Sequence, residues 1–86
     1  MAALTVNVVS ADQQVWSGEA AQVTARTTEG EIGILPGHEP VLAILASGQV
    51  RVRQANGTVV EATAEDGFLS VENDTVTIVS RSAALA

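Results

Sequence analysis

One stretch gathers groups that could move protons or hold a metal: the single histidine, His38, stands near Glu29, Glu31 and Glu39. Nucleophilic catalysis would need that histidine beside a serine or cysteine and an orienting acid. The chain has no cysteine, and no serine sits in the context of a nucleophile elbow. A zinc site calls for three or four nitrogen or sulfur ligands, and the stretch offers one. A calcium loop calls for a denser set of oxygen ligands. Gly30, Gly33 and Gly37 could suggest a phosphate loop, but no Lys-Ser/Thr pair follows and Glu29 and Glu31 flank the first glycine, repelling phosphate. The plain reading is that Glu29 and Glu31, two apart, share a solvated strand face, and that His38 is a loop or contact histidine. No catalytic residue, metal site or cofactor is expected.

Elsewhere the reactive inventory is sparse. Ten acids face four arginines with no lysine, giving a formal net charge of −6. That balance repels phosphate backbones and excludes nucleic acid as a natural partner. It equally disfavours anionic lipid headgroups, and the missing amine removes Schiff-base chemistry. Arg51 and Arg53 share one strand face, an arrangement usually met by nearby acids. The longest apolar run, Val41 to Ala46, is far short of the ~20 residues of a membrane span. Met1-Ala2-Ala3-Leu4 has no basic region or long hydrophobic segment, so no secretion signal is expected and the default compartment is the cytoplasm.

The elements that must position these residues are strands. Trp16 and Phe68 are the only aromatics in 86 residues, so the core must come from Val, Ile, Leu and Ala. A chain this short buries roughly 60% of its unfolded surface, enough for one thin core. Leu4, Val6 and Val8 alternate with polar residues, as do Ala21, Val23 and Ala25, Val50 and Val52, and the run Thr75 to Ser80. Val15 to Gly18 reads as a short extended piece, with Trp16 at the core edge. Asp12-Gln13-Gln14, Glu65-Asp66-Gly67 and Asn73-Asp74 read as turns, Ser47-Gly48 as a break in the pattern, and Asn56-Gly57 as a tight hairpin in which both residues accept positive φ. About eight to ten short strands, broken at intervals of roughly six to ten residues, predict a sandwich or small barrel. The last residues, from Ser82, carry no strand pattern and read as a frayed end or a helix start.

The run Gly30-Glu31-Ile32-Gly33-Ile34-Leu35-Pro36-Gly37-His38-Glu39-Pro40 resembles the central signature of the epsilon subunit of F-type ATP synthase. Val8 to Asp12 with Val15 to Ala20 upstream, and Gly67 to Val71 with Val76 to Ile78 downstream, are similar to that family's opening and closing strands. Glu39 and Asp66 depart from the family pattern. The resemblance implies an all-β, ten-stranded sandwich of two packed, mainly antiparallel sheets over residues 1–82, followed by a tail, 83–86, where a helical hairpin would begin. It implies a non-catalytic subunit of the central stalk that couples rotation to ATP synthesis by gripping the gamma subunit and the c-ring. The location implied is peripheral, on the cytoplasmic face of a bacterial plasma membrane, without insertion into it. Ser10, His38, Leu42 and Ala43 would lie toward gamma, and Glu29, Gly30 and Glu31 toward the ring. Gly33 and Gly37 would permit the irregular backbone of the contact loop, and Pro36 and Pro40 would stiffen it. With the inhibitory helices absent from these residues, the expectation is support for coupling without inhibition of hydrolysis. The alternative class is a small-ligand-binding β-sandwich, which would want more aromatic platforms than Trp16 and Phe68.

Overall fold

A computed structural model describes residues 3–11 and 13–85. Seven strands occupy most of them: β1 (Leu4–Ser10), β2 (Gln13–Ala20), β3 (Gln22–Thr27), β4 (Gly30–Ile34), β5 (Val41–Arg53), β6 (Val59–Glu72) and β7 (Thr75–Leu85). Of the expected first turn, Gln13 and Gln14 belong to β2, and Asp12 lies outside the described residues. All seven form one sheet in the order β2-β1-β7-β6-β5-β3-β4. The β1–β7 pair is parallel and the others are antiparallel.

The all-β sandwich forms, but not from two separate sheets of short strands. The three long strands each supply both layers. In layer one, β2 and β1 are joined by the first part of β7, the last part of β6 and the first part of β5. In layer two, the remaining parts of those three strands continue through β3 to β4. Counted by layer, that is five strands twice, and the expected ten reappear as seven continuous strands.

The sequence pattern explains how a strand serves two layers. In β6 the buried positions are Ala62 and Ala64, then Leu69 and Val71, so the inward face changes from even to odd numbers. The exposed pair Glu65–Asp66 marks the change. In β5 the switch falls between Leu45 and Val50, and in β7 between Ser80 and the core-packed Ala83. One residue of slip in each strand keeps apolar side chains inside after the sheet turns its corner. Ser47-Gly48, expected as a break in the pattern, and Glu65-Asp66-Gly67, expected as a turn, are therefore corners within β5 and β6. Asp66 adopts φ 52 there, a conformation its short polar side chain tolerates.

The corner is held by close backbone approach and by one hydroxyl. A Cβ on Gly67 would overlap the Val79 carbonyl oxygen and stand 2.6 Å from the Ser80 Cα. Ser80 is 2% exposed. Its Oγ accepts from the Glu65 N–H (2.9 Å) and the Ser82 N–H (3.2 Å), and its proton can go to the Glu65 or Ser82 carbonyl. Ser10 joins this network, its Oγ accepting from the Ala83 N–H at 3.2 Å. This support carries β7 through Ala83, Ala84 and Leu85, which extend the sheet in place of the expected tail; Ala86 is outside the described residues.

Two hairpins differ in geometry from their sequence signals. At Asn56-Gly57 only Gly57 takes positive φ, and the Gly57 N–H donates to the Gln54 carbonyl (2.9 Å), so Ala55 and Asn56 form the turn and Gly57 follows as a bulge. The turn with two positive-φ residues is Asn73-Asp74, between paired Glu72 and Thr75. One core unites Leu4, Val6 and Val8 with Val23, Ile34, Val50, Leu69, Val71, Val76 and Ile78, and Trp16 packs against it from β2.

Gly67→Ala should destabilise the chain by more than about 3 kcal/mol, because backbone and not a mobile side chain must move. Ser80→Ala should cost about 1–3 kcal/mol by leaving buried amide groups unpaired. Urea unfolding followed by circular dichroism measures both.

Candidate docking surface

Alternation within each strand decides which side chains leave the core, and cross-strand register decides which of them meet. On the outer face of layer one, Ile44 pairs with Phe68, Phe68 with Val79, and Val79 with Val9. These four side chains form one apolar row across β5, β6, β7 and β1. Leu42, 69% exposed, adds to it on β5 beside Ile44 at 58%, and Phe68 is 38% exposed. The next row is polar: Leu42 pairs with Ser70, Ser70 with Thr77, Thr77 with Asn7, and Asn7 with Ser17. There the Asn7 Oδ1 accepts from Ser17 Oγ at 3.1 Å and from Gln14 Nε2 at 3.3 Å.

The residues expected to face gamma are divided by this geometry. Leu42 lies on the outer face, while Ala43 points the other way and is half-buried. His38 lies in the loop before β5, at the end of layer one away from the corner. That loop is pinned where the Gly37 N–H donates to Asp74 Oδ1 (2.7 Å) and the His38 N–H to the Leu35 carbonyl (3.1 Å). The Nδ1 of His38 lies 2.8 Å from the Glu39 carbonyl oxygen. Ser10 is at the opposite, corner end, half-buried, with its hydroxyl engaged by Ala83. Gly37 uses the freedom expected of it, at φ 87; Gly33 has no such requirement and pairs with Thr24 in β4. Pro36 and Pro40 bracket the pinned loop outside the strands.

Glu29, Gly30 and Glu31 sit at the tip of the β3–β4 hairpin, with Glu29 in the turn and Glu31 on β4. Thr27 Oγ1 closes the turn by donating to the Gly30 carbonyl (2.6 Å) and accepting from the Glu29 N–H (3.2 Å). Gly30, at φ 120, supplies a conformation closed to other residues. The tip folds back on β5, where the Thr28 N–H donates to the Ile44 carbonyl at 3.0 Å. A shallow groove of about 390 Å³ results, lined by Glu29, Glu31, Leu42 and Ile44 among others. The acidic tip and the apolar row therefore adjoin. Ile44 and Phe68 were missed as surface candidates because only cross-strand pairing brings them together.

Such a domain is a small two-layer β-sandwich whose contact-ready groups lie on its outer faces. The chain belongs to the ATP synthase delta/epsilon chain β-sandwich domain family, whose model matches residues 3–86. It is 53% identical over 85 residues to the ATP synthase epsilon chain of Micrococcus luteus, covering 99% of this chain and 93% of that one. Identity to the Streptomyces avermitilis epsilon chain is 47%, covering 99% of this chain and 68% of the other. A chain of the Euglena gracilis mitochondrial ATP synthase, from a structure of its OSCP/F1/c-ring portion, superposes with a TM-score of 0.92 at 29% identity. That match covers 99% of this chain and 54% of the Euglena chain, about half its length. A Tetrahymena thermophila mitochondrial ATP synthase chain shares the fold, with a TM-score of 0.71 at 17% identity over 93% of this chain and 64% of its own.

Phe68→Ala should cost less than about 1.5 kcal/mol of stability, whereas Leu69→Ala, fully buried next to it, should cost about 2–5 kcal/mol. Comparing their urea midpoints tests whether the outer row is dispensable for folding.

Proposed function

We propose that the chain is a non-catalytic rotor subunit of an F-type ATP synthase. It sits in the central stalk on the gamma subunit, rests on the c-ring, and helps rotation of one drive the other. The observation that carries this reading is the apolar row Ile44–Phe68–Val79–Val9 with Leu42, lying beside the acidic Glu29–Glu31 tip. Contiguous exposed apolar side chains rimmed by polar ones are the usual form of a protein contact site. Family membership and the Euglena relative, taken from an assembly containing F1 and the c-ring, support the choice of partners.

In this arrangement Leu42, Ile44 and Phe68 meet gamma, with His38 at the edge of the contact. Ala43 and Ser10 support that face from beneath and from the corner. Glu29, Gly30 and Glu31 meet the polar loops of the ring. The site of action is the cytoplasmic face of the bacterial membrane, reached through the complex and not by insertion. The mechanism is mechanical: a sheet continuous through both layers resists shear, and two adjoining patches prevent its two partners from slipping past each other. No proton transfer or bond cleavage is assigned to the chain.

Binding to an assembled gamma–c-ring rotor should be at least tenfold tighter than to gamma alone. The Ile44→Ser/Phe68→Ser double variant should lose at least tenfold in affinity for either, with its fold unchanged by circular dichroism. Sedimentation with labelled chain measures this, and unaltered binding of the double variant would refute the assigned face.

A further inference from the structure

The outer face of layer two has a different chemistry. Three of the four arginines, Arg26, Arg51 and Arg53, line a groove of about 850 Å³ that follows the strands. Gln49, Arg51 and Arg53 occupy alternate positions of β5, and Gln22, Thr24 and Arg26 alternate positions of neighbouring β3. Gln22 pairs with Arg53 and Thr24 with Arg51, so two rows of hydrogen-bond donors run side by side. Gly48 leaves room for the Arg26 stem, whose Cδ would stand 3.3 Å from a Cβ there.

Cross-strand register places a carboxylate opposite two of these cations, Glu31 opposite Arg26 and Glu61 opposite Arg51. Arg53 lies opposite Gln22 and Val59, neither of them acidic, and Val59 is 49% exposed. A chain of net charge −6 thus gathers most of its positive charge on one sheet face and leaves the end of the groove incompletely neutralised.

We infer that this groove docks an extended acidic segment of a partner polypeptide, with carboxylates at alternate positions facing Arg51 and Arg53. The warrant is charge together with period. Cations two apart on a strand stand about 7 Å apart, and an extended segment repeats its downward-facing side chains at the same interval. In a helix, residues two apart point to opposite sides. Guanidinium groups bind carboxylates in a two-pronged geometry, and the neighbouring Gln and Thr side chains can reach the remaining acceptors. The surface is separate from the apolar row of layer one and shares only Glu31 with the acidic tip, so its failure would leave the rotor reading intact.

The test is titration of the ¹⁵N-labelled chain, at low salt, with a capped octapeptide of alternating Glu and Thr. Saturable amide shifts confined to 22–26, 49–53 and 59–61 are expected. They should weaken at least tenfold in Arg51→Gln/Arg53→Gln, whose dispersed spectrum reports an intact fold, and again on raising the salt. Overturning results are absent or non-saturating shifts, equal binding by the double variant, or equal binding of a Lys-Thr peptide. Equal binding of a Glu₄Thr₄ block peptide would remove the alternating spacing. Saturation of the same amides by tripolyphosphate with none by the peptide would make the groove a small-anion site and sink the proposal.

Discussion

The fold depends on a simultaneous change of inward parity in three neighbouring strands. If β6 kept strict alternation past Glu65, Leu69 and Val71 would turn to solvent and Phe68 would enter the core. The same holds for β5 and β7, and because the pairing continues on both sides of the corner, the three must slip together. Gly67 against the Val79 carbonyl sets how closely the strands approach at that point, and the Ser80 hydroxyl satisfies backbone groups that the interrupted ladder would strand.

From this constraint follows the contrast between the two outer faces. The core takes most of the aliphatic side chains, from Leu4 to Ile78, and leaves several large apolar groups outside. Those on layer one fall into one row because the register aligns Ile44, Phe68, Val79 and Val9. Those positions on layer two hold Gln, Thr and Arg. A single sheet thus presents an oily surface and a donor-rich one on opposite sides, with mechanical continuity between them through the covalent strands that cross the corner. Shear between separate sheets would have only side-chain packing to oppose it, whereas here covalent strands cross the corner.

Much of this was legible in one dimension. Alternation in Leu4–Val8, Val50–Val52 and Thr75–Ser80 correctly assigned faces, because a half-buried strand leaves a period of two whatever its neighbours. Corners were not legible: Glu65-Asp66-Gly67 carries the composition of a turn, and composition records a break in pattern without saying whether the chain reverses. Ala83 to Leu85 lacked a strand signal since the Ser10 and Ser80 hydroxyls, distant in sequence, provide their support. The site was half visible. The Glu29–Pro40 run stood out by its glycines and prolines, whereas Ile44 and Phe68 looked like ordinary strand residues until pairing aligned them. Ser10 and His38 stand at opposite ends of layer one, a separation that sequence spacing does not reveal.

The parallel ladder between β1 and β7 joins Thr5 to Thr75 and Ser10 to Ser80. On a ribosome, β1 must wait for β7 before it can find this neighbour, and until then β2 is its partner among the described strands. Layer one is therefore completed after nearly all of this sequence has emerged, which places the domain among slow, topology-limited folders. During that interval Leu4, Val6 and Val8 are uncovered, making the nascent opening hairpin the segment most in need of a chaperone.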